Sequence, residues 1–571
     1  MLAPVASGDA KGISVEFSYA EGKSISAQTV IDAWRKNPSD SLFIEGGGWF
    51  RMPTEWLSSH ETALERILAG RVLGKTSNAL YLPDVIEIAD SLGVEPPHYF
   101  ATLRQALANH DFIPEHELPR ELVCELRDYQ KTGVNWLGFL MEHGIGALLA
   151  DDMGLGKTVQ ALCALRGKTL IVSPTSVLSS WQQQIERFLP GRSIGTYHGS
   201  NRKLHSSDQI TLTTYGILRS DVEDLSSIGW DTVVLDEAQV IRNPTSKTAR
   251  AAYRLQAKGR ICLTGTPIEN SPRDLWSQSQ FLNPGLLGSL SDFEREYINC
   301  EVSNKGEQLD RLRRRFAPFI LRRFKSEVAK ELPPKTEVVL ECDLSEEERS
   351  IYEGILAATN DEVLRQIDAD ASIMSILEVL LRLRQACCHS ALVPGVSAAA
   401  SSKLDLLLRH LQQSKANGHR CLIFSQWVSL LNKLEPLLDA EQITFDRIDG
   451  STKARGDVVT KFQSPQGADT LLISLKAGGV GLTLTAADHV YILDPWWNPA
   501  VEDQAADRAH RIGQINPVVV HRLVARDTVE QRVLQLQERK RQLVSATLGG
   551  GQDAEFALTR EDLLYILDKT E

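Results

Sequence analysis

The residues with the clearest chemistry are Asp151-Asp152-Met153-Gly154-Leu155-Gly156-Lys157-Thr158. A glycine-rich turn ending in Gly-Lys-Thr suits a triphosphate when a strand precedes it and a helix follows. Backbone N–H groups and the positive end of the helix dipole then surround the phosphates, Lys157 reaches the β and γ oxygens, and Thr158 ligates magnesium. The apolar stretch Ile145 to Ala150 reads as that strand, and Thr158 to Arg166 as that helix. The general pattern wants glycine at 151, where this chain has Asp151.

A second chemical pair lies downstream. Val233-Val234-Leu235 is a short apolar strand that delivers Asp236 and Glu237 at its carboxyl end, where open parallel sheets place ligand chemistry. One acid can hold magnesium and the next can polarise water; a solvated turn is the bland alternative. Far along the chain, Gln504 to Gln514 carries Arg508 and Arg511. If 504 to 511 is helical, these arginines share a face and reach one anion, as groups that cancel γ-phosphate charge must. A pair of surface arginines is the alternative.

The elements that must position these groups alternate strand and helix. Apolar strands are expected at 145–150, 169–173, 209–214, 232–235 and 260–263, and again at 421–425, 444–448, 471–475, 489–493 and 518–523. The fold class is therefore α/β: two parallel-sheet lobes with helical insertions, preceded by a smaller α+β region, and the family resemblance given below implies that the lobes are RecA-like. The expected division is an accessory region of unknown function at 1–120, an ATP-binding lobe at 121–295, helical insertions and a hinge at 296–400, a second lobe at 401–545 and a tail at 546–571. The second lobe has no Gly-Lys-Thr, so one nucleotide site is expected rather than two.

The 571 residues, 42% hydrophobic, can fill several cores. No apolar run reaches membrane-spanning length and the start of the chain does not read as a signal segment, so a cytoplasmic protein without membrane partners is expected, and the resemblance given below implies that it is nucleoid-associated. Eight cysteines without a C-x-x-C pair fit buried thiols better than zinc or disulfides. A formal charge of −12 argues against bulk attraction to nucleic acid, so any grip must be local. The stretch 311–325, RLRRRFAPFILRRFK, is the local candidate, against solvated helix arginines as the bland reading.

Ordered blocks from about 121 to 545 carry a resemblance. They include Leu126-Arg127-Asp128-Tyr129-Gln130, DDMGLGKT, Val172-Ser173-Pro174-Thr175 with Trp181, Thr213-Thr214-Tyr215-Gly216, DEAQ at 236–239 and LTGTPIEN at 263–270. PFILRRFKSEVAKELPPK at 318–335, IFSQW at 423–427, RIDGST at 447–452, the block 474–500 ending in WWNPA, and QAADRAHRIGQ at 504–514 complete the series. The chain resembles the Swi/Snf family of helicase superfamily two, ATP-driven translocases on double-stranded DNA, with bacterial or archaeal relatives. Asp151 is similar to what that family has there. Gln239, Gln184, Phe324 and Ser390 depart from its usual residues, without removing a phosphate or magnesium ligand.

The resemblance implies ATP and Mg2+ as cofactors. Gln130 would recognise adenine. Arg127, Asp152, Met153, Gly154, Leu155, Gly156, Lys157, Thr158, Gly481, Arg508 and Arg511 would complete the nucleotide site. Thr158 and Asp236 would hold the metal and Glu237 would activate water. Nucleic-acid contacts would come from Pro174, Thr175, Thr213, Thr214, Tyr215, Arg322, Arg323, Ser425, Gln426, Lys476, Gly478, Gly479 and Trp496. Partners would be double-stranded DNA and a DNA-bound protein, such as RNA polymerase or a nucleoid or chromatin protein. With no aromatic wedge evident between the lobes, movement without strand separation is expected. An RNA-stimulated helicase of the same superfamily and a non-hydrolysing ATP-binding switch or scaffold are the alternatives.

Overall fold

The structure, a computed structural model, describes the chain except residues 1, 10–11, 21, 37–40, 46, 73–77, 110–111, 206, 266–271, 300–304, 368–372, 399, 476–481, 498, 549–561, 563–564 and 567–571. The first hundred residues form an antiparallel three-stranded sheet, β1 (Ala3–Asp9), β2 (Gly12–Ala20) and β3 (Lys23–Ser26), and a hairpin of β4 (Ser41–Ile44) and β5 (Gly48–Arg51). Helices Thr54–Val72, Leu82–Leu92 and His98–Ala108 pack beside them. Phe17, Leu57, Ile88 and Phe100 are continuous with the core of the following lobe, so this region is joined to it through one apolar interior.

That lobe is a seven-stranded parallel sheet. Its strands are β6 (Ala147–Leu149), β7 (Thr169–Ser173), β8 (Ile194–Thr196), β9 (Ile210–Thr214), β10 (Gly229–Asp236), β11 (Gln256–Leu263) and β12 (Ile320–Leu321), in the order β12-β6-β11-β10-β7-β9-β8. β6, β7 and β9 are buried at every position. This is why they read as continuous apolar runs rather than alternating ones: helices cover both faces of such a sheet. The loops that leave the carboxyl ends of β6, β7, β9 and β10 carry most of the site residues expected in this lobe.

The second lobe repeats the plan with six strands, β13 (Lys335–Cys342), β14 (Cys421–Ser425), β15 (Phe445–Ile448), β16 (Thr470–Ser474), β17 (His489–Ile492) and β18 (Val518–Ala525). Their order is β13-β18-β17-β14-β16-β15, all parallel. The ten strands expected from apolar patterning are all present. The stretch 296–400, read as helical, also gives an edge strand to each sheet, β12 and β13. β12 is two residues long, too short to show a period, and β13 is an edge strand whose Val339 stays 49% exposed, so its pattern is not that of a buried strand. No helix among the described residues is long and apolar enough to cross a membrane.

Candidate active site

The turn after β6 is shaped by two glycines with left-handed backbone, Gly154 at φ +93° and Gly156 at φ +77°. A Cβ on Gly156 would lie 2.5 Å from Gln130 Nε2, and one on Gly154 would lie 2.6 Å from Arg511 Cγ, so both positions also need the missing side chain. Gln130 braces the loop: its Oε1 accepts from Arg127 N (3.0 Å) and its Nε2 donates to Leu155 O (3.2 Å). Lys157, the first residue of helix Lys157–Ala164, folds back and donates to the carbonyls of Asp151 and Asp152. Burial lowers its pKa, against the opposing pull of Glu237, Asp151 and Asp236.

The anomalous Asp151 has a structural reason. It is fully buried, and β12 continues alongside the turn so that Arg323 meets it. Arg323 Nε and N both donate to Asp151 Oδ1 (2.9 and 3.1 Å), and Nη2 donates to Oδ2 and to Gln160 Oε1 (2.7 Å). The backbones interlock as well, with Ala150 N donating to Leu321 O (2.7 Å) and Asp152 N to Arg323 O (3.0 Å). A glycine at 151 would leave that guanidinium without its carboxylate.

The acids end β10. Asp236 Oδ2 accepts from the indole of fully buried Trp181 (2.7 Å) and Oδ1 from Glu237 N (3.0 Å). Glu237 has φ +51°, a conformation non-glycine residues adopt at a cost of about 1–3 kcal/mol and one that gathers at functional sites. Its Oε2 accepts from Gln239 Nε2 (2.9 Å), and Gln239 Oε1 accepts from Thr264 Oγ1 (2.9 Å). Gln239 thus links the acid to the end of β11. Trp181 belongs to a block that the sequence singled out, yet its hold on Asp236 was not legible there.

Both arginines of the second lobe arrive at this site, although not as expected. Helix Pro499–Ala506 stops before them, and tight turns follow, with Ala509 N bonding Ala506 O (3.1 Å) and Arg511 N bonding Ala509 O (3.0 Å). The expected helix to 511 is therefore corrected. Tertiary ties replace helical ones: Lys325 Nζ takes His510 O and Asp507 Oδ1 (both 2.7 Å), and His510 Nε2 pairs with Pro333 O (2.8 Å). Lys325 N also donates to Asp152 Oδ2 (3.0 Å), so this one residue ties the phosphate turn to the arginine segment.

The charge balance suits a polyanion. Lys157, Arg508 and Arg511 surround Asp236 and Glu237, whereas Asp151 and Asp507 are matched by Arg323 and Lys325. Arg508 is 2% exposed, and its Nε and Nη2 have no hydrogen-bond partner among the described residues. Burial lowers its pKa to about 10, against the opposing Glu237. Buried donors of this kind are costly unless an acceptor arrives. Phosphate oxygens beside Lys157 and the loop N–H groups supply one, so the residues present fit a nucleoside triphosphate.

Burial, and next the Glu237 carboxylate, push Asp236 up to about 7. A raised acid favours the folded state below the ordinary carboxylate range, and that contribution is lost as pH rises toward about 7. A cation ligated there competes with the proton. Magnesium-nucleotide affinity is therefore expected to weaken as pH falls below about 7, approaching about tenfold per unit. Nucleotide titrations between roughly pH 6 and 8, with Asp236→Asn reporting the nucleotide's own titration, check this; identical slopes for the two proteins would refute it.

The expected nucleic-acid residues divide. Thr175 is exposed and Pro174 partly so at the end of β7, and partly buried Gln426 has an Nε2 without a partner among the described residues. The side chains of Thr213, Thr214 and Tyr215 are engaged inside the lobe, with Tyr197 O (2.9 Å), Ile217 N (3.3 Å) and Asp236 O (2.8 Å). Ser425 is buried and accepts from Trp427 N (3.0 Å). Trp496 stacks with Arg384 at 5.7 Å, and Arg322 with Phe324 at 4.9 Å. Lys476, Gly478, Gly479 and Gly481 lie outside the described residues.

Arg323, expected among the nucleic-acid contacts, is engaged by Asp151 inside the lobe. Elsewhere in 311–325, Arg311 meets Glu87 (2.8 Å) and buried Arg315 meets Asp84, both in the N-terminal region. Much of this basic stretch is therefore internal ion pairing. Removing one partner of a buried pair costs about 3–5 kcal/mol. Arg323→Ala is accordingly expected to lower the thermal unfolding temperature of lobe 1 and basal ATP turnover together; a variant impaired only in nucleic-acid response would instead support the nucleic-acid role.

Two parallel-sheet lobes, with a phosphate-loop turn and paired acids on the first and two arginines reaching them from the second, define a helicase-type, P-loop nucleoside triphosphatase fold. A SNF2-related domain model matches residues 129–392, and a helicase conserved C-terminal domain model matches 402–513. The chain belongs to the SNF2-related, or Swi/Snf, family of helicase-type ATPases. It is 37% identical over 536 residues to a Bacillus subtilis protein named as an ATP-dependent helicase/translocase, YwqA, covering 87% of this chain and 58% of that one. Similarity to the mouse chromodomain-helicase-DNA-binding protein 1-like is 36% over 485 residues, covering 78% of this chain and 53% of that one. This chain spans about half the length of the curated relatives it matches. The Sulfolobus solfataricus SWI2/SNF2 ATPase core in complex with double-stranded DNA is 33% identical, covering 79% of this chain and 99% of that one, with a TM-score of 0.40.

Proposed function

We propose that this protein is a DNA-stimulated ATPase that uses Mg·ATP to move along double-stranded DNA and displace or remodel a DNA-bound protein without separating the strands. The observation that carries the ATPase reading is the meeting of Lys157, Asp236 and Glu237 from one lobe with Arg508 and Arg511 from the other, leaving Arg508 donors without an acceptor among the described residues. Thr158 and Asp236 would hold magnesium, which when bound shields phosphate charge. Lys157 and the loop N–H groups would bind and orient the phosphates. Glu237 would take the proton of the attacking water, with Gln239 fixing its carboxylate. Gln130 and Arg127 would lie beside the adenine. Because Arg508 and Arg511 come from the second lobe, opening and closing of the cleft would make or break the site, the coupling that a translocating motor needs.

Duplex DNA as the track is supported by membership of the family and by the helicase, translocase and DNA-binding names of its relatives. A grip through phosphates predicts little sequence preference and a strong salt dependence. The test is ATP turnover with no nucleic acid, duplex DNA, single-stranded DNA and RNA, followed by strand displacement. Duplex DNA is expected to stimulate, with stimulation falling steeply as salt rises, and a triplex third strand to be released while a forked duplex stays paired. Equal stimulation by RNA, or efficient opening of the fork, would overturn the reading.

A further inference from the structure

Away from the nucleotide cleft, four histidines gather on the second lobe. Strand register brings them together: Cys421 of β14 pairs with His489 of β17, and Tyr491 of β17 pairs with His521 of β18. His419 lies two residues before β14, and His410 lies on helix Ser402–Ala416 with its ring 5.9 Å from that of His521. The cluster centres on the amino ends of β14 and β17, the opposite end of the sheet from the nucleotide loops. The nucleotide chemistry does not use it.

The centre of the cluster is Asp488, whose side chain is 5% exposed. Its Oδ2 lies 2.8 Å from His419 Nδ1 and its Oδ1 lies 3.1 Å from His489 Nδ1. The two imidazole centroids are 4.5 Å apart, and one ligand atom from each of the three residues falls within 4.8 Å of the others. Asn516 Nδ2 is a further partner of the carboxylate, at 3.1 Å. Behind His489, His521 is stacked at 5.5 Å; it is 8% exposed, and neither of its ring nitrogens has a hydrogen-bond partner among the described residues. Imidazole and carboxylate together are a donor set for borderline divalent metals, not for the hard cations that nucleotides carry.

We propose that His419, Asp488 and His489 bind one divalent transition metal of the zinc class, with water in the fourth position. Tetrahedral ligand atoms at about 2.0–2.1 Å from zinc stand ~3.3 Å apart. The nitrogen-to-carboxylate separations, 2.8 Å to Oδ2 and 3.1 Å to Oδ1, need to open by a few tenths of an ångström, while the three ligand atoms, within 4.8 Å of one another, draw in around one point. Both imidazoles lend Nδ1, with the ring proton held on Nε2, and His521 backs the His489 ring. The bound metal fastens the loop after helix Ser402–Ala416 to the head of β17, which joins a surface helix of the lobe to its sheet.

The test uses the full chain, stripped with a chelator and titrated with Zn2+ against a chromophoric competitor, then with Co2+ followed by absorption. One Zn2+ per chain is expected, with a metal-dependent rise in Tm, no comparable effect of Mg2+, and Co2+ d–d bands without thiolate charge-transfer bands. His419 is 39% exposed, so its replacement should be tolerated by the fold. His419→Ala should weaken zinc binding by about 100-fold or more, and His419→Cys should keep Co2+ binding and add a thiolate charge-transfer band. Parental affinity in His419→Ala, thiolate bands in the parent, or a His419→Cys spectrum without them would overturn the proposal.

Discussion

Glu237→Gln is expected to bind Mg·ATP about as tightly as the parent and to hydrolyse it about 10²–10⁴-fold more slowly, the range a positioned general base contributes. The amide keeps the size of the side chain, and Gln239 can turn its own amide to meet it, so the φ +51° turn and the link to Thr264 should survive. Only the ability to take a proton is lost. Lys157→Ala should fail differently, because Lys157 sits where the phosphates must lie and its ammonium is a main cation of the site. Its nucleotide affinity should fall before turnover is even measured. Equilibrium nucleotide binding beside single-turnover hydrolysis separates the two. A Glu237→Gln protein that turns over at close to the parental rate would remove the acid from its assigned role.

Arg508→Ala and Arg511→Ala are expected to cut turnover by about 10³–10⁵, while lowering ATP affinity less than Lys157→Ala does. Arg508 is the stronger test, since its Nε and Nη2 are buried without an acceptor. That side chain costs the resting protein stability and is useful only when charge arrives. Arg508→Ala should therefore leave thermal stability unchanged or raise it while catalysis collapses, and that opposite movement is not what a structural arginine would give. Loss of stability in parallel with activity would argue for a packing role. Arg511 packs where a Cβ on Gly154 would have to go, so Gly154→Ala should imitate part of its loss by keeping the second lobe off the phosphate turn.

Much of this was written locally in the chain. The phosphate turn is legible because its requirements are local: two glycines for left-handed backbone, a lysine and a hydroxyl at the start of a helix, and an apolar strand before them. The strands of both sheets are legible for the same reason, since burial on both faces demands a continuous apolar run. Asp236 and Glu237 follow from their place at the end of such a run. The edge strands β12 and β13 were not legible, because one is two residues long and the other is only half covered.

What the tertiary structure alone decided are the partners. Asp151 is odd in sequence, and only the fold brings Arg323, 172 residues away, onto it. That meeting gives a residue expected among the nucleic-acid contacts an internal partner. Trp181 reaches Asp236 across 55 residues, and Lys325 reaches Asp507 across 182, because strand order and lobe packing choose neighbours that spacing along a chain cannot reveal. The arginine pair shows the division most clearly. The sequence by itself determined that two cations would stand three residues apart, while a helix would have been one way among several to aim them. The turn that carries them past Ala506 is set by contacts with Lys325 and Pro333, residues of another part of the fold, and those contacts outweigh the local preference for continuing the helix.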